Sequence, residues 1–445
     1  MEWLLALAVA TVAGTVGLVV TSSSSLGASL RAGARRRVAQ ICGLTDVATG
    51  PAGAVSGRAG ALAVRLEAVR DRPKTLRIEI DGLAEGVEIT PAGRAPVPGD
   101  VTIGDPLLDG PLVLRGVPAT VRGLFAADVR ARMLKVLALD VEVHVRAGSL
   151  VAELRGGMTH AEWSARRLAT LLDLAHALEP GASEVVRLAV IARTDPLESV
   201  RAKALESLVT EAPDDPSRRA ALRDATRDAS YAIRLRAAIA LGEEGHEVLY
   251  DLASDPATDA AVAVGALDAL GPRLTLERTR PLLEAAVEDL RAPLACALLR
   301  RMGRSGGPEA AVVASVLAGR IARESSVLSA KGAAIAVAAA EALAETATPE
   351  AEAPLIAALG SLVPGLPPAA ARSLGRVGTA RAVPALRDAE ERGGEVRRAA
   401  REAIALIQSR LVGATPGQVS LAGGEAGHLS VVGATDGRVS LGGRD

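Results

Sequence analysis

The spacing of apolar residues changes character four times along this chain. From Trp3 to Val20 the run WLLALAVATVAGTVGLVV contains no charge. As a helix it would reach about 27 Å, close to the roughly 30 Å hydrocarbon core of a bilayer. From 54 to 157 the period is two: ALAVRLEAV and TLRIEI alternate, and LDVEVHV and SLVAEL alternate on either side of Ala147-Gly148, a hairpin signal. Within that stretch AADVRARMLKVLAL has helical spacing, so the segment reads as a small α+β domain. From 158 to 411 short Ala- and Leu-rich helices follow one another, broken at Gly, Pro and Asp. After Leu411 the helical stripe stops. The Gly-rich tail, 412–445, repeats one phrase in steps of ten: Gly417-Gln-Val-Ser-Leu, Gly427-His-Leu-Ser-Val and Gly437-Arg-Val-Ser-Leu.

The helical series repeats itself. DPLESVRAKALESL begins at Asp195 and DASYAIRLRAAIALG at Asp228, 33 residues later, which sets Val200-Arg201 on Ile233-Arg234 and Ala204 on Ala237. Each Asp is placed to cap the helix that follows. Leu-Gly recurs at Leu241-Gly242, Leu270-Gly271 and Leu374-Gly375. The last unit is the plainest: Ala382, Val383, Pro384 and Leu386 on a first helix, a break at Gly393-Gly394, then Val396, Ala399, Ala400, Ala403 and Leu406 on a second.

These units resemble HEAT repeats, in particular the short Ala-rich kind related to phycobilisome-lyase repeats. The resemblance is strongest at 374–407. Over 280–365 the spacing drifts, which leaves the count open at six or seven. It implies a mainly α fold, a HEAT-like α-solenoid in which neighbouring helix pairs share one core. A transmembrane helix (1–22), a basic Ser/Gly/Arg linker (23–53) and the α+β domain (54–157) would precede it. The phrase GDPLLDGPLVLRG with the following helix and hairpin resembles a module of uncharacterised bacterial membrane-anchored proteins, which implies no activity.

Composition narrows the function. About half the residues are apolar, but two Trp, two Tyr and one Phe are the whole aromatic complement. Stacking platforms for single-stranded nucleic acid are excluded on that ground, and a net charge of −1 gives no global field toward DNA or RNA. Cys42 and Cys296 lie far apart and make no disulfide framework, which favours a reducing compartment. Arg31, Arg35, Arg36 and Arg37 follow the apolar run, with no acid before Asp46. The positive-inside rule then places the bulk of the chain in the cytoplasm of a bacterial-type cell, held in the inner membrane through residues 3–20. A cleaved signal peptide would need a basic start, which is missing here.

No stretch carries recognisable chemistry. The five His lack metal-ligand spacing. Lys331 follows Ala330 rather than a Gly-rich turn, GPAGAVSGRAG lacks a preceding strand, and no Gly-x-Ser-x-Gly elbow is present. No catalytic, cofactor-binding or metal-binding residue is therefore predicted, and no cluster suits the pigment that bilin lyases hold on similar repeats. The surface is the better candidate. Arg201, Arg234, Arg236, Arg397, Arg398 and Arg401 fall on second helices, where they would line a groove for an acidic peptide or partner domain. The competing reading is solvated Arg whose stems shield an Ala-rich surface. In the tail, Val419 and Leu421, Leu429 and Val431, and Val439 and Leu441 would share one side of an extended chain, opposite Ser420, Ser430 and Ser440. That suits strand addition to a partner's sheet edge, multiplied by three copies. Alternatively the copies pair with each other, or do neither. The expectation is a membrane-anchored interaction scaffold for protein partners. Two readings compete with it: an enzyme acting through the α+β domain, with Asp105, Asp109 and Arg115 as first candidates if they converge, and an exported periplasmic binding protein.

Overall fold

The computed structural model describes residues 33, 36–50, 54–68, 74–93, 99–139, 141–154, 161–211, 215–305, 309–322, 329–346, 348–410, 419–421 and 429–431. The chain divides into two compact units, Met1–Leu241 and Gly242–Asp445.

In the first unit eight strands form one antiparallel sheet: β1 Thr45–Thr49, β2 Val55–Ala59, β3 Leu62–Ala68, β4 Lys74–Glu79, β5 Glu88–Pro91, β6 Leu112–Arg115, β7 Val141–Arg146 and β8 Ser149–Leu154. Their order is β1-β2-β3-β4-β8-β7-β5-β6. The period of two works as expected. Leu62, Val64, Leu66, Leu76, Ile78, Val143, Val145 and Leu150 are buried, while Arg65 and Arg77 between them are exposed. The β7–β8 hairpin turns through Ala147 (φ 47°) and Gly148 (φ 71°), the left-handed pair whose twist matches the flanking strands. His144 and Glu142 share the outer face, with Nε2 and Oε1 3.5 Å apart.

Helices α1 (36–41), α2 Pro106–Asp109, α3 Pro118–Leu124, α4 Ala127–Leu137 and α5 Ala161–Ala177 accompany the sheet. Val129 and Met133 of α4, Leu168, Leu171 and Leu174 of α5, and the buried Phe125 all enter the sheet's core. Two boundaries thus differ from the sequence reading. Val38, Ala39 and Leu44 belong to this core and β1 starts at Thr45, inside the stretch read as linker, whose Gly and Arg content masked a short strand. Helix α5, read as the start of the solenoid, packs on the sheet instead.

Helix α3 faces both ways: its Val121 and Leu124 enter the sheet's core. Its Ala119 lies in a core with Leu188 and Ile191 of α6 (Glu184–Thr194) and Val200, Ala204 and Leu208 of α7 (Glu198–Glu211). The next pair, α8 (Pro216–Ala225) and α9 (Tyr231–Leu241), stacks on α6 and α7. The first pair of a repeat array presents an uncovered apolar face, and α3 covers it.

The second unit contains α10 His246–Ser254, α11 Ala260–Leu270, α12 Leu276–Glu288, α13 Ala292–Ser305, α14 Glu309–Ala322, α15 Ala330–Thr346, α16 Glu352–Leu359, α17 Leu366–Val377, α18 Val383–Glu391 and α19 Gly394–Arg410. Each even-numbered helix packs on the odd-numbered one after it. Successive odd helices also pack on one another, as do successive even ones, so the unit has two layers. Small residues set the spacing. A Cβ on Gly303 of α13 would lie 2.6 Å from the Ala342 carbonyl oxygen of α15, so the two backbones touch. The recurring Leu-Gly proves to be two devices. Gly242 (φ 63°) and Gly271 (φ 50°) end helices, whereas Gly375 sits inside α17, where a Cβ would meet Ala403 Cα of α19 at 3.2 Å. On α19 the buried stripe is Ala399, Ala400, Ala403 and Ile407, and Leu406, expected in it, is half-exposed.

In the tail, β9 (Val419–Leu421) and β10 (Leu429–Val431) pair antiparallel with like opposite like: Leu421 with Leu429, Ser420 with Ser430, Val419 with Val431. The first two copies of the phrase therefore pair with each other. The third copy, with Val439 and Leu441, lies outside the described residues, as does the apolar run Trp3–Val20. Among the described residues no helix is long and apolar enough to cross a membrane.

Candidate functional site

The arginines singled out in the sequence do not line one groove. Arg201 is largely buried and bonds Asp228 of the next repeat with Nε and Nη2 at 2.8 and 2.9 Å, while its Nη1 donates to the Asp195 carbonyl. Arg234 donates to the Asp228 carbonyl and lies over the Tyr231 ring. Arg201 thus fastens consecutive repeats, while Arg234 braces the turn into its own helix. Burial works to raise the Asp228 carboxyl, but hydrogen bonds from Arg201 and the Ser230 amide outweigh it and hold it below its usual range. Arg236 is exposed beside Glu198 in a shallow recess. Arg397 and Arg401 both reach Glu390, at its carbonyl (3.2 Å) and carboxylate (2.5 Å), and Arg398 is exposed.

Other arginines follow the same logic. Arg392 donates to the Leu359 carbonyl, and Arg410 to the carbonyls of Gly375, Arg376 and Gly378. Helix ends leave carbonyls unsatisfied and carry negative partial charge, so a guanidinium from the next repeat fits there. Arg291 and Arg301 are used in the same way, at the carbonyls of Ala253, Ser254 and Leu274, which the sequence does not announce.

Asp105, Asp109 and Arg115 do not converge either. Asp109 accepts from the amides of Ile103 and Gly104 at 2.9 and 2.8 Å, and Arg115 pairs with Asp100 at 3.1 Å. Asp105 enters a buried clamp. Arg130 donates to Asp105 Oδ2 at 2.8 Å, to both Asp195 oxygens at 2.5 and 2.9 Å, and to the Phe125 carbonyl at 3.0 Å. Arg130, Asp105 and Asp195 are each 4% exposed. Burial works to lower the Arg130 guanidinium, but Asp195 and then Asp105 outweigh it and leave it raised. The tripeptide Asp-Pro-Leu occurs at both carboxylates: Asp105 accepts from the Leu107 amide and Asp195 from the Leu197 amide, each at 3.0 Å. Two identical turns thus hold one guanidinium between the sheet domain and the first repeat. Arg122 reinforces the junction through the Thr102 carbonyl and Ser207 Oγ. Gly104 (φ 90°) makes room, since a Cβ there would fall 2.6 Å from the Ser199 carbonyl oxygen.

One open recess, among several, lies in the second unit across α13, α15 and α17, with a volume of about 480 Å³. Charged pairs one helical turn apart line it: Arg300 and Arg304 on α13, Glu341 and Glu345 on α15, Arg372 and Arg376 on α17. Its floor is Ala342, Ala369 and Ser373, all buried. Arg376 pairs with Glu345 and Arg372 with Glu395 of α19, each at 2.9 Å. Arg300, Arg304 and Glu341 make no ion pair among the described residues and face solvent. The arrangement alternates positive, negative and positive walls over an alanine floor. That suits recognition of a charged chain segment rather than bond-making. The signal was present in the sequence as Arg, Glu and Arg pairs spaced by four, but the first two pairs lie where the repeat register drifts.

Among the described residues no group of His, Cys, Asp and Glu is placed to hold a metal ion. His176 lies beside Glu179 and His246 beside Arg273, while His160 and His428 fall outside the described residues. Both cysteines are free, and burial pushes both thiols up.

Fold and site together define a mainly helical repeat protein with an α+β domain at the start of its array. Residues 326–405, which include α15 and α17 of the groove, match the HEAT repeats family. No curated protein matches. Among solved structures, that of human deoxyhypusine hydroxylase in complex with glycerol is similar at 17% identity, covering 51% of this chain and 96% of its own, with a TM-score of 0.21. A score that low carries no argument here.

Proposed function

We propose that this chain is a membrane-anchored, cytoplasmic scaffold for protein–protein interaction with no catalytic step of its own. The observation that carries this reading is the groove across α13, α15 and α17. It combines charged walls and a small-residue floor on stacked helices, with Arg300, Arg304 and Glu341 left open to solvent. Asp105, Asp109 and Arg115, the first candidates for an enzyme acting through the α+β domain, do not form a common pocket. In this reading the apolar run Trp3–Val20 is the anchor. The tail phrases add further docking strands, through the outer edges that β9 and β10 keep as a two-stranded sheet.

Affinity recovery from detergent extract tests the reading with three baits: the full chain, the chain ending at Leu411, and Arg300→Glu/Arg304→Glu. Loss of defined partners from the second or third bait is expected. Identical recovery by all three contradicts both docking surfaces. Cysteine labelling from each side of the membrane tests the orientation, with labelling of the solenoid from the outside as the contrary result.

A further inference from the structure

We infer that the groove across α13, α15 and α17 takes a peptide segment of mixed charge, with two carboxylates on Arg300 and Arg304 and a basic residue on Glu341. This rests on the scaffold reading and names its ligand.

Charge complementarity carries the argument. Of the six charged residues lining the groove, Arg376 is already neutralised by Glu345, and Arg372 by Glu395 beyond the rim. That leaves two guanidinia on one helix and one carboxylate on its neighbour. Arg300 and Arg304 are four residues apart on α13, about 6 Å along the axis. That spacing matches alternate side chains of an extended peptide, roughly 6.8 Å apart, or side chains four apart on a helix. Guanidinia also present paired donors suited to carboxylates.

Glu341 sets the selectivity. A polyphosphate chain laid along the groove would bring phosphates against the unpaired Glu341, with Glu345 behind it held by Arg376, so this wall opposes nucleic acid and anionic lipid surfaces as occupants. A peptide that offers a basic residue one step beyond its acidic pair meets Glu341 favourably. The floor is shallow because Ala342, Ala369 and Ser373 supply little side chain, so a main chain can lie close to it.

Fluorescence anisotropy on the full-length protein in detergent tests this. The probes are a fluorescein-labelled peptide with two Glu at alternate positions followed by Lys, the same peptide with the Lys replaced by Glu, one with the Glu pair replaced by Lys, and a single-stranded DNA oligomer. The mixed peptide is expected to bind best and to lose about tenfold or more in Arg300→Glu/Arg304→Glu. Glu341→Lys should gain affinity for the all-acidic peptide and lose it for the mixed one, a reversal that misfolding cannot produce. Arg398→Glu, on exposed α19 surface, should change nothing. Preference for DNA, or equal binding of the mixed peptide by wild type and the double variant, overturns the inference. If no peptide binds while the full chain still recovers partners through its tail, this inference fails and the scaffold reading stands. If both are lost, the scaffold reading fails with it.

Discussion

Arg130→Met isolates the clamp between the sheet domain and the first repeat. The side chain is 4% exposed and makes four hydrogen bonds, three of them to carboxylates that are equally buried. Methionine fills similar volume but leaves Asp105 and Asp195 charged and without their cation. Breaking a buried pair from one side costs about 3–5 kcal/mol, because the orphaned charge stays out of water. The chain divides into two compact units, so amide hydrogen exchange, which reports each segment, is a better assay than one global transition. Amides of α2, α4, α6 and α7 should exchange faster by about two to three and a half decades, with α15 and α17 unchanged. The triple variant Arg130→Met/Asp105→Asn/Asp195→Asn removes the stranded charges yet keeps an acceptor for Leu107 and Leu197, and should recover most of the loss. Protection within tenfold of wild type in the single variant, or worse protection in the triple, would refute the account of the clamp as a charge-balanced junction.

Two further outcomes follow from the arginine staples. Arg410→Ala removes donors to three carbonyls at the end of α17 and should destabilise that segment by about 1–2 kcal/mol, modest because Arg410 is itself exposed, read as faster exchange at 374–378. The Asp228 carboxyl is held below its unfolded value of 3.8. Its pairing with Arg201 therefore stabilises α7–α9 fully above that pH and is lost as pH falls through the lower folded value. Exchange measured across an acid series should show that onset in wild type and not in Asp228→Asn.

The strands of the α+β domain were legible because its sheet is one-sided: burial on one face forces alternation, and alternation is local. Partner choice was not local. Helix α5 carries the same Ala and Leu stripe as a repeat helix yet packs on the sheet, and the short α3 is shared between the sheet core and the repeats. The stripe says that a face is buried, not against what. The Asp-Pro-Leu turns at 105 and 195 were readable as a repeated tripeptide, but their shared guanidinium on Arg130 is a tertiary fact. The groove was missed for a related reason. Arg301 and Arg304 look alike on paper, while only the fold shows Arg301 donating to the Leu274 carbonyl and Arg304 left on the rim.

The tail offers the sharpest contrast between what a repeated phrase suggests and what pairing does with it. Three similar phrases suggest three independent docking strands, but the first two copies face each other in register, Leu421 opposite Leu429. Directly opposed residues of antiparallel strands have Cα atoms about 4.5–5.5 Å apart, within the range a disulfide spans. Leu421→Cys/Leu429→Cys should then close an intramolecular disulfide under mild oxidation, seen as a linked peptide by mass spectrometry. The free native thiols are shielded, Cys296 most of all, and compete poorly. An offset pair, Val419→Cys/Leu429→Cys, should close far less. An isolated two-stranded hairpin is marginal in water, so the linked form should also be populated slowly and depend on oxidant exposure. Equal closure by both pairs would mean that the tail samples contacts without register. Cross-links between separate chains alone would mean that the phrases meet only across molecules, and the pairing of β9 with β10 within one chain would have to be given up.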